Sequence, residues 1–546
     1  MDLLLRDATV VDGSGAPGRP ADVGVAGDRI RAVAPPGQLE VPAGGIEVHL
    51  DGLVLAPGFI DVHTHYDAQI LWDPDLTPSS WHGVTSVIMG NCGFGVAPTR
   101  PEHRDLVVRT LENVEGMSMD ALNAGIDWCF ESFPGYLSAI EHRPKRINVG
   151  GFVGHSPLRL FVMGPEERPA RPDELEFMRE LVREAVEAGA IGLSTSRAPQ
   201  HQGAFGRPVP SRFADVNEVF ALSSVLGELG KGVVQVAVGP GVFIEELSEL
   251  AVANERPVTW TALLARAERP GAALRTLARA SALPGEVYPQ LACREIVMQI
   301  NLADPTPLAE IDEWKEVLAR PREERAEVYR DAEWRDRARK PTLERWRHRW
   351  ARMAVQETAV HRDVVGTPLE QVAAERDTNP FDLMLDLALT DEMATRFRIV
   401  MDNDGYDELG DLLADKRTLL GLSDAGAHAS QLCDACFSTH LLSHWVRDRR
   451  SLSIEDAVWR LTGHPHQAFR LVDRGRVREG YFADLVAFDP TTVGITAPER
   501  VHDQPGGADR LVVRSTGIEH VWVNGQAIWR DGEALPGVAP GRLLRS

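Results

Sequence analysis

Apolar residues along the 546-residue chain fall mostly into short blocks, and the texture of those blocks changes twice. Over residues 1–56 they are strand-length runs: Leu3-Leu4-Leu5, Ala8-Thr9-Val10-Val11, Asp22-Val23-Gly24-Val25 and Ile30-Arg31-Ala32-Val33. Gly13-Ser14-Gly15 and Pro35-Pro36-Gly37 cut them, as expected of turns, where glycine supplies unusual backbone angles and proline fixes φ. The other end has the same texture, with strand-like runs at 483–489 and 518–525. Two β-rich ends around a mixed middle predict that the termini combine into a small β-sandwich, residues 1–56 with 475–546.

Between the ends, apolar blocks alternate with helical patterns. Eight read as buried strands: 53–61, 85–89, 147–153, 190–194, 233–238, 257–261, 397–401 and 419–424. The segment 173–188 is an amphipathic helix, with Phe177, Leu181, Val182, Ala185 and Val186 on one stripe and Asp173 and Glu174 in its first turn. Eight buried strands alternating with helices predict an α/β fold, a (β/α)8 TIM-like barrel over 57–474, with a doubly wound open sheet as the alternative. Residues 266–375 break the rhythm. They are rich in Arg, Glu and Trp (Trp314, Trp334, Trp346, Trp350) at helical spacing and read as a helical insertion after the sixth strand, either a solvated cover or a lid that shapes substrate choice.

Composition narrows the function classes. The 43% apolar and 25% charged content is that of a globular protein with a sizeable core. A net charge of −22 argues against nucleic acid or an anionic membrane as partner. Five cysteines, Cys92, Cys129, Cys293, Cys433 and Cys436, are too sparse for a disulfide framework. The first residues lack a basic region followed by an apolar one, and no run of about 18 apolar residues occurs. A cytoplasmic protein, working as a homo-oligomer on a small molecule, is the expectation.

The chemistry concentrates at strand ends. Pro57-Gly58-Phe59-Ile60-Asp61-Val62-His63-Thr64-His65 carries an apolar strand into two histidines at i, i+2. On extended backbone that spacing sets both imidazoles on one face, which suits Zn²⁺ or a similar borderline metal. In Gly421-Leu422-Ser423-Asp424, at the end of the eighth strand, Asp424 reads as a metal ligand and proton acceptor or as a helix cap. Cys92, in Gly90-Asn91-Cys92-Gly93, reads as a thiolate ligand or a small buried residue. His155, after the third strand, can reach metal, attacking water or substrate carbonyl, or make a structural hydrogen bond. Arg197 can clamp a substrate carboxylate or form a surface ion pair, and His201 lies in the polar loop that follows. Cys433-Asp434-Ala435-Cys436 lacks a second pair and reads as helix packing.

Taken together these motifs resemble the amidohydrolase superfamily, and within it the N-acyl-D-amino-acid deacylase (D-aminoacylase) branch. Pro57 to His65, Asn91-Cys92-Gly93, Gly154-His155, Gly189 to Thr195, Ser423-Asp424 and Gly480-Tyr481-Phe482-Ala483-Asp484-Leu485 carry the resemblance, in the family's order along nearly the whole chain. It implies a metal-bearing barrel, a split β-sandwich and hydrolysis of an amide. By it His63 and His65 would be ligands, Cys92 a ligand able to bridge two metals, and Asp424 ligand and general base. The family pattern also has histidines near the ends of strands five and six and a lysine beside the latter. In this chain 233–239 and 256–261 hold neither.

Three arrangements follow, in order of preference: one zinc held by His63, His65 and Asp424, with or without Cys92; ligation rebuilt by His155 or His201; or loss of the metal. The reading is a zinc-dependent amidohydrolase, one ion favoured over two, cleaving a C–N amide bond such as that of an N-acyl-D-amino acid. Asp424 and His155 are its catalytic groups, Arg197 and His201 bind substrate, and His63, His65, Cys92 and Asp424 bind metal. Hydrolysis of a lactam, carbamate or other non-peptidic amide is one alternative, a metal-free ligand-binding barrel the other.

Overall fold

In the computed structural model of the protein, which describes residues 1–41 and 43–546, the central alternation becomes one parallel sheet. Its strands are β1 (Phe59–Asp61), β2 (Val84–Met89), β3 (Asn148–Gly154), β4 (Gly192–Ser196), β5 (Val233–Ala237), β6 (Val258–Thr261), β7 (Val287–Leu291) and β8 (Leu419–Leu420). Each pairs in parallel with the next. The sheet curls until Thr64, just past β1, bridges in parallel to Ala425, just past β8, where the His65 N–H donates to the Ala425 carbonyl at 2.7 Å. Strands covered on both faces carry continuous apolar runs rather than alternation, as the sequence did.

Two strand assignments shift. The seventh barrel strand is Val287-Tyr288-Pro289-Gln290-Leu291, not 397–401. Proline and glutamine disguised it, since proline gives the ladder no donor and is scarce in central strands. Arg396–Asp402 is instead the middle of a three-stranded antiparallel sheet, between Ile296–Asn301 and Ala354–Glu357. An isolated apolar run looks the same in either setting. The block 53–61 divides at Gly58. Val54–Pro57 pairs with Leu485–Phe488 of the terminal sheet, and Phe59 opens the barrel. A Cβ on Gly58 would stand 2.2 Å from the Thr85 side chain, so only glycine passes there.

The chain forms two compact units, Met1–Leu264 with Gly271–Cys293 and Asp407–Ser546, and Ala265–Pro270 with Arg294–Tyr406. The first holds the barrel and a nine-stranded sheet built from both chain ends, in which Leu5, Val23, Ile30, Leu55, Leu485 and Trp522 share one core. The second has its own core around Trp314, Tyr329, Trp334 and Phe381; Trp314 and Trp334 meet edge to face at 5.3 Å. It is helical as expected but also carries the three-stranded sheet, and it runs on past 375 to Tyr406.

Two helices of the barrel unit matter below: α1 (Arg104–Glu115) and α2 (Pro172–Glu187). α2 opens on proline with Asp173 and Glu174 in its first turn, and buries Met178, Val182, Ala185 and Val186. Val182, Ala185 and Val186 lie on the predicted stripe, but at its start Met178 is buried in place of Phe177, which is 40% exposed. No helix among the described residues is long and apolar enough to cross a membrane.

Candidate active site

Beyond β1 the chain stays extended through Val62 and delivers His63 and His65 to one side, both buried, with ring centroids 5.3 Å apart. The hydrogen-bond chain behind His63 fixes its tautomer. Thr259 on β6 donates its hydroxyl proton to the Tyr288 carbonyl (3.0 Å), so toward Gln290 it can only accept, from Nε2 at 2.9 Å. That turns Oε1 of Gln290, on β7, to His63 Nδ1 at 2.7 Å, and Nδ1 must carry the proton. His65 Nδ1 lies 3.1 Å from the carboxylate of Glu115, the last residue of α1. Nδ1 of His63 is therefore backed by an acceptor and Nδ1 of His65 by a carboxyl group at ion-pair distance, and both rings present Nε2 to a shared space, the orientation by which outer partners prepare imidazoles for a metal.

Cys92 comes from the turn after β2. Gly90, Cys92 and Gly93 all have positive φ (79°, 57° and 76°), and a Cβ on Gly93 would meet Thr195 Cα at 2.8 Å. The turn is pinned by Gln235 on β5, whose Oε1 accepts the Cys92 N–H at 2.7 Å, and Cys92 Sγ lies 3.5 Å from His63 Nε2. Burial acts to raise the thiol's pKa, but His63 and His65 outweigh it and bring it down to about 7.

Asp424 follows β8 in the left-handed backbone region (φ 46°), a conformation that costs a non-glycine residue about 1 kcal/mol or more and is typical of functional positions. Its Oδ1 lies 3.2 Å from His63 Nε2 and 3.8 Å from His65 Nε2. Although burial opposes the charge, His65 and His63 hold the carboxyl down at about 2. The two imidazoles are raised in return: burial works against their protons, but Cys92 and Asp424 prevail at His63, and Glu115, Asp424 and Cys92 at His65. Underneath, the Ser423 hydroxyl meets Asp61 Oδ2 at 2.6 Å, tying the last strand to the first.

The ligating atoms of His63, His65 and Cys92 lie within 4.8 Å of one another. Two imidazole nitrogens, a thiol of lowered pKa and a carboxylate make a donor set suited to a borderline divalent metal, so these residues fit the ion the resemblance implies.

A model of the amidohydrolase family matches residues 47–528. The chain belongs to that family. It is 32% identical to the D-aminoacylase of Alcaligenes xylosoxydans xylosoxydans, covering all of this chain and 97% of the relative, and 30% identical to that organism's N-acyl-D-aspartate deacylase, covering all of this chain and 95% of the relative. Among solved structures, a D-aminoacylase superposes over both whole chains with TM-score 0.69 at 28% identity. The N-acyl-D-glutamate deacylase of Bordetella bronchiseptica, complexed with zinc and a phosphonate mimic of the tetrahedral intermediate, does so with TM-score 0.70 at 25% identity. This amidohydrolase is accordingly a metal-dependent hydrolase of carbon–nitrogen bonds other than peptide bonds.

Of the remaining residues singled out in the sequence of this amidohydrolase, His155 and Arg197 lie away from the cluster and His201 lies near it. His155 sits in a different buried cluster. Its Nδ1 pairs with Thr195 Oγ1 at 2.8 Å and its Nε2 with Glu218 at 2.9 Å, and Glu218 also binds Arg159. Both ring nitrogens are thus engaged by protein groups. Arg197 is a loop pin: Nε and Nη1 donate to the carbonyls of Pro240, Ser211, Arg212 and Ala214. His201 does approach the cluster. Its Nδ1 meets Ser196 Oγ at 2.7 Å, its ring meets Phe94 edge-on, and burial with nearby His65 lowers its pKa to about 3, so it is neutral. Sequence reasoning missed Gln290, Glu115 and Gln235. Gln235 stood in plain view as the one polar residue in an apolar strand, and Gln290 lay in the strand that went unrecognised.

Proposed function

We propose that the chain removes the acyl group from an N-acyl-D-amino acid, with a single zinc ion held by His63, His65, Cys92 and Asp424. The observation that carries this is the convergence of those four side chains in a chain aligned end to end with D-aminoacylase. The relatives named for N-acyl-D-aspartate and N-acyl-D-glutamate favour the D configuration, and the zinc in a solved relative favours that ion. A metal bound here supplies Lewis acidity, polarising a carbonyl and lowering the pKa of water from near 16 to about 7.

The protein's own groups do the rest. Gln290 and Glu115 keep the two imidazoles turned inward, so the site is formed before substrate arrives. Asp424, ionised at neutral pH, takes the proton of the attacking water on its carboxylate and returns it to the departing amine nitrogen. His201, fixed through Nδ1 and neutral, directs Nε2 to a substrate oxygen. His155 keeps β3 and β4 in place through Thr195 rather than acting on substrate.

A panel of N-acetyl-D- and N-acetyl-L-amino acids, with a lactam and a carbamate, offered to zinc-loaded protein tests the reading. Turnover of the D-series is expected. Turnover confined to the lactam or carbamate would replace it with the non-peptidic reading, and a stable protein that takes up no metal would replace it with a ligand-binding barrel.

A further inference from the structure

The amide of Gln235 is fully buried and only half satisfied. Its orientation is not arbitrary. The Cys92 backbone N–H can only donate, so the atom 2.7 Å from it is the amide oxygen, and the amide nitrogen is the other arm. That nitrogen has no hydrogen-bond partner, and covalent geometry keeps it within about 5 Å of Cys92 N. Buried donors are almost always paired, because leaving one unmade forfeits its hydration without return. Gln235 is therefore a donor held ready, on a strand facing into the barrel, beside a residue of the metal-binding cluster. An amide nitrogen bearing two hydrogens cannot ligate a cation; what it can take is an acceptor oxygen.

We propose that Gln235 Nε2 is the hydrogen-bond donor to the carbonyl oxygen of the bound amide and to the negative charge that oxygen gathers as water adds. Such a donor, fixed before the reaction and shielded from water, stabilises the tetrahedral stage without reorganising. The inference rests on the deacylase reading and deepens it by adding to the cluster a hydrogen-bond donor that the protein itself supplies.

Gln235→Glu removes the donor while keeping the oxygen that accepts from Cys92, and neutral Gln235→Met controls for the charge it adds. Zinc-loaded wild type and variant are titrated by calorimetry with acetohydroxamate, a small ligand offering an acceptor oxygen, and their zinc content is measured alongside. The expected result is unchanged zinc with hydroxamate binding weakened about 100-fold, and kcat on any amide turned over falling by a similar factor. Gln235→Met, neutral and lacking both polar atoms, should weaken the hydroxamate as much and loosen zinc as well, since the Cys92 turn loses its pin. If the glutamate variant does not fold, the methionine variant decides the matter with its hydroxamate affinity compared with wild type per zinc-occupied site.

Hydroxamate binding within about threefold of wild type overturns the proposal, and means that water or the Cys92 turn alone explains Gln235. A wild type that hydrolyses no N-acyl-amino acid yet discriminates the variants in this titration sinks the deacylase reading and leaves the donor standing.

Discussion

Two buried histidine clusters stand in the same compact unit, one at the barrel mouth and one between strand and helix, and show how alike a ligand site and a structural one can look. In both, imidazoles lie against carboxylates out of contact with water. At His155 the two ring nitrogens are consumed by Thr195 and Glu218, and Arg159 balances the charge of Glu218. At His63 and His65 the Nδ1 atoms face Gln290 and Glu115, and the Nε2 atoms converge with Cys92 Sγ and Asp424 Oδ1, all of them metal-ligand types. The difference lies in what each nitrogen meets. A lone buried imidazole between a hydroxyl and a balanced ion pair holds the fold together, whereas two whose Nε2 atoms meet a thiol and a carboxylate in one space are prepared for a cation.

The sharpest way to break this comparison is to remove one imidazole from each cluster. His63→Ala should abolish stoichiometric zinc and lower amide hydrolysis by more than the 10- to 100-fold typical of outer partners, with the fold retained. Elemental analysis beside an assay reads both, and zinc content equal to wild type would falsify the ligand assignment. His155→Ala should do the reverse. Leaving Thr195 and Glu218 without their neutral partner should cost about 1 to 3 kcal/mol in urea unfolding while zinc per folded chain stays level.

Acidification sharpens the second half. Burial acts to raise Glu218, but His155 and Arg159 bring its carboxyl down to about 2 in the folded state, below its ordinary value. A depressed carboxylate contributes stability above its unfolded pKa and loses it as pH falls through the folded one. The stability gap between wild type and Glu218→Gln should therefore be full at pH 6 and shrink as pH drops from about 5 toward 2. A gap that is flat over that window assigns the network's contribution to packing.

Smaller in effect is the loss of an outer acceptor. Gln290→Leu should weaken zinc by about 10- to 100-fold in competition with a chelator, because His63 is no longer held in its tautomer, and it should change little else. An unchanged zinc affinity would show that β1 alone aims the ring. Least costly is Arg197→Lys. Losing the fork that spans four carbonyls should destabilise the protein by about 1 kcal/mol and leave KM alone. A raised KM for a carboxylate-bearing substrate at wild-type stability would return Arg197 to substrate binding.

Much of this was legible in the sequence, but unevenly. The i, i+2 spacing of His63 and His65 needed only an extended backbone to put both rings on one face, and a carboxylate just beyond a terminal barrel strand has one mouth to face. His155 carried the same residue type at the same kind of position and went to a different cluster, because nothing near it in the sequence reveals Glu218, 63 positions on. Arg197 likewise looked like an anion clamp until the carbonyls of 211–214 and Pro240 were seen around it.

By itself the sequence determined the alternation of strands and helices, the coming together of both β-rich ends (expected as a sandwich, found as one nine-stranded sheet), and the face on which His63 and His65 emerge. Periodicity sets these, and periodicity is local. Only the tertiary structure decided that β7 is the Pro289-Gln290 strand, that His63 leans on a glutamine 227 positions away, and that Gln235 holds Cys92 from across the barrel. Those depend on how a closed sheet comes into register, and register is fixed by the packing of all eight strands at once rather than by any one of them.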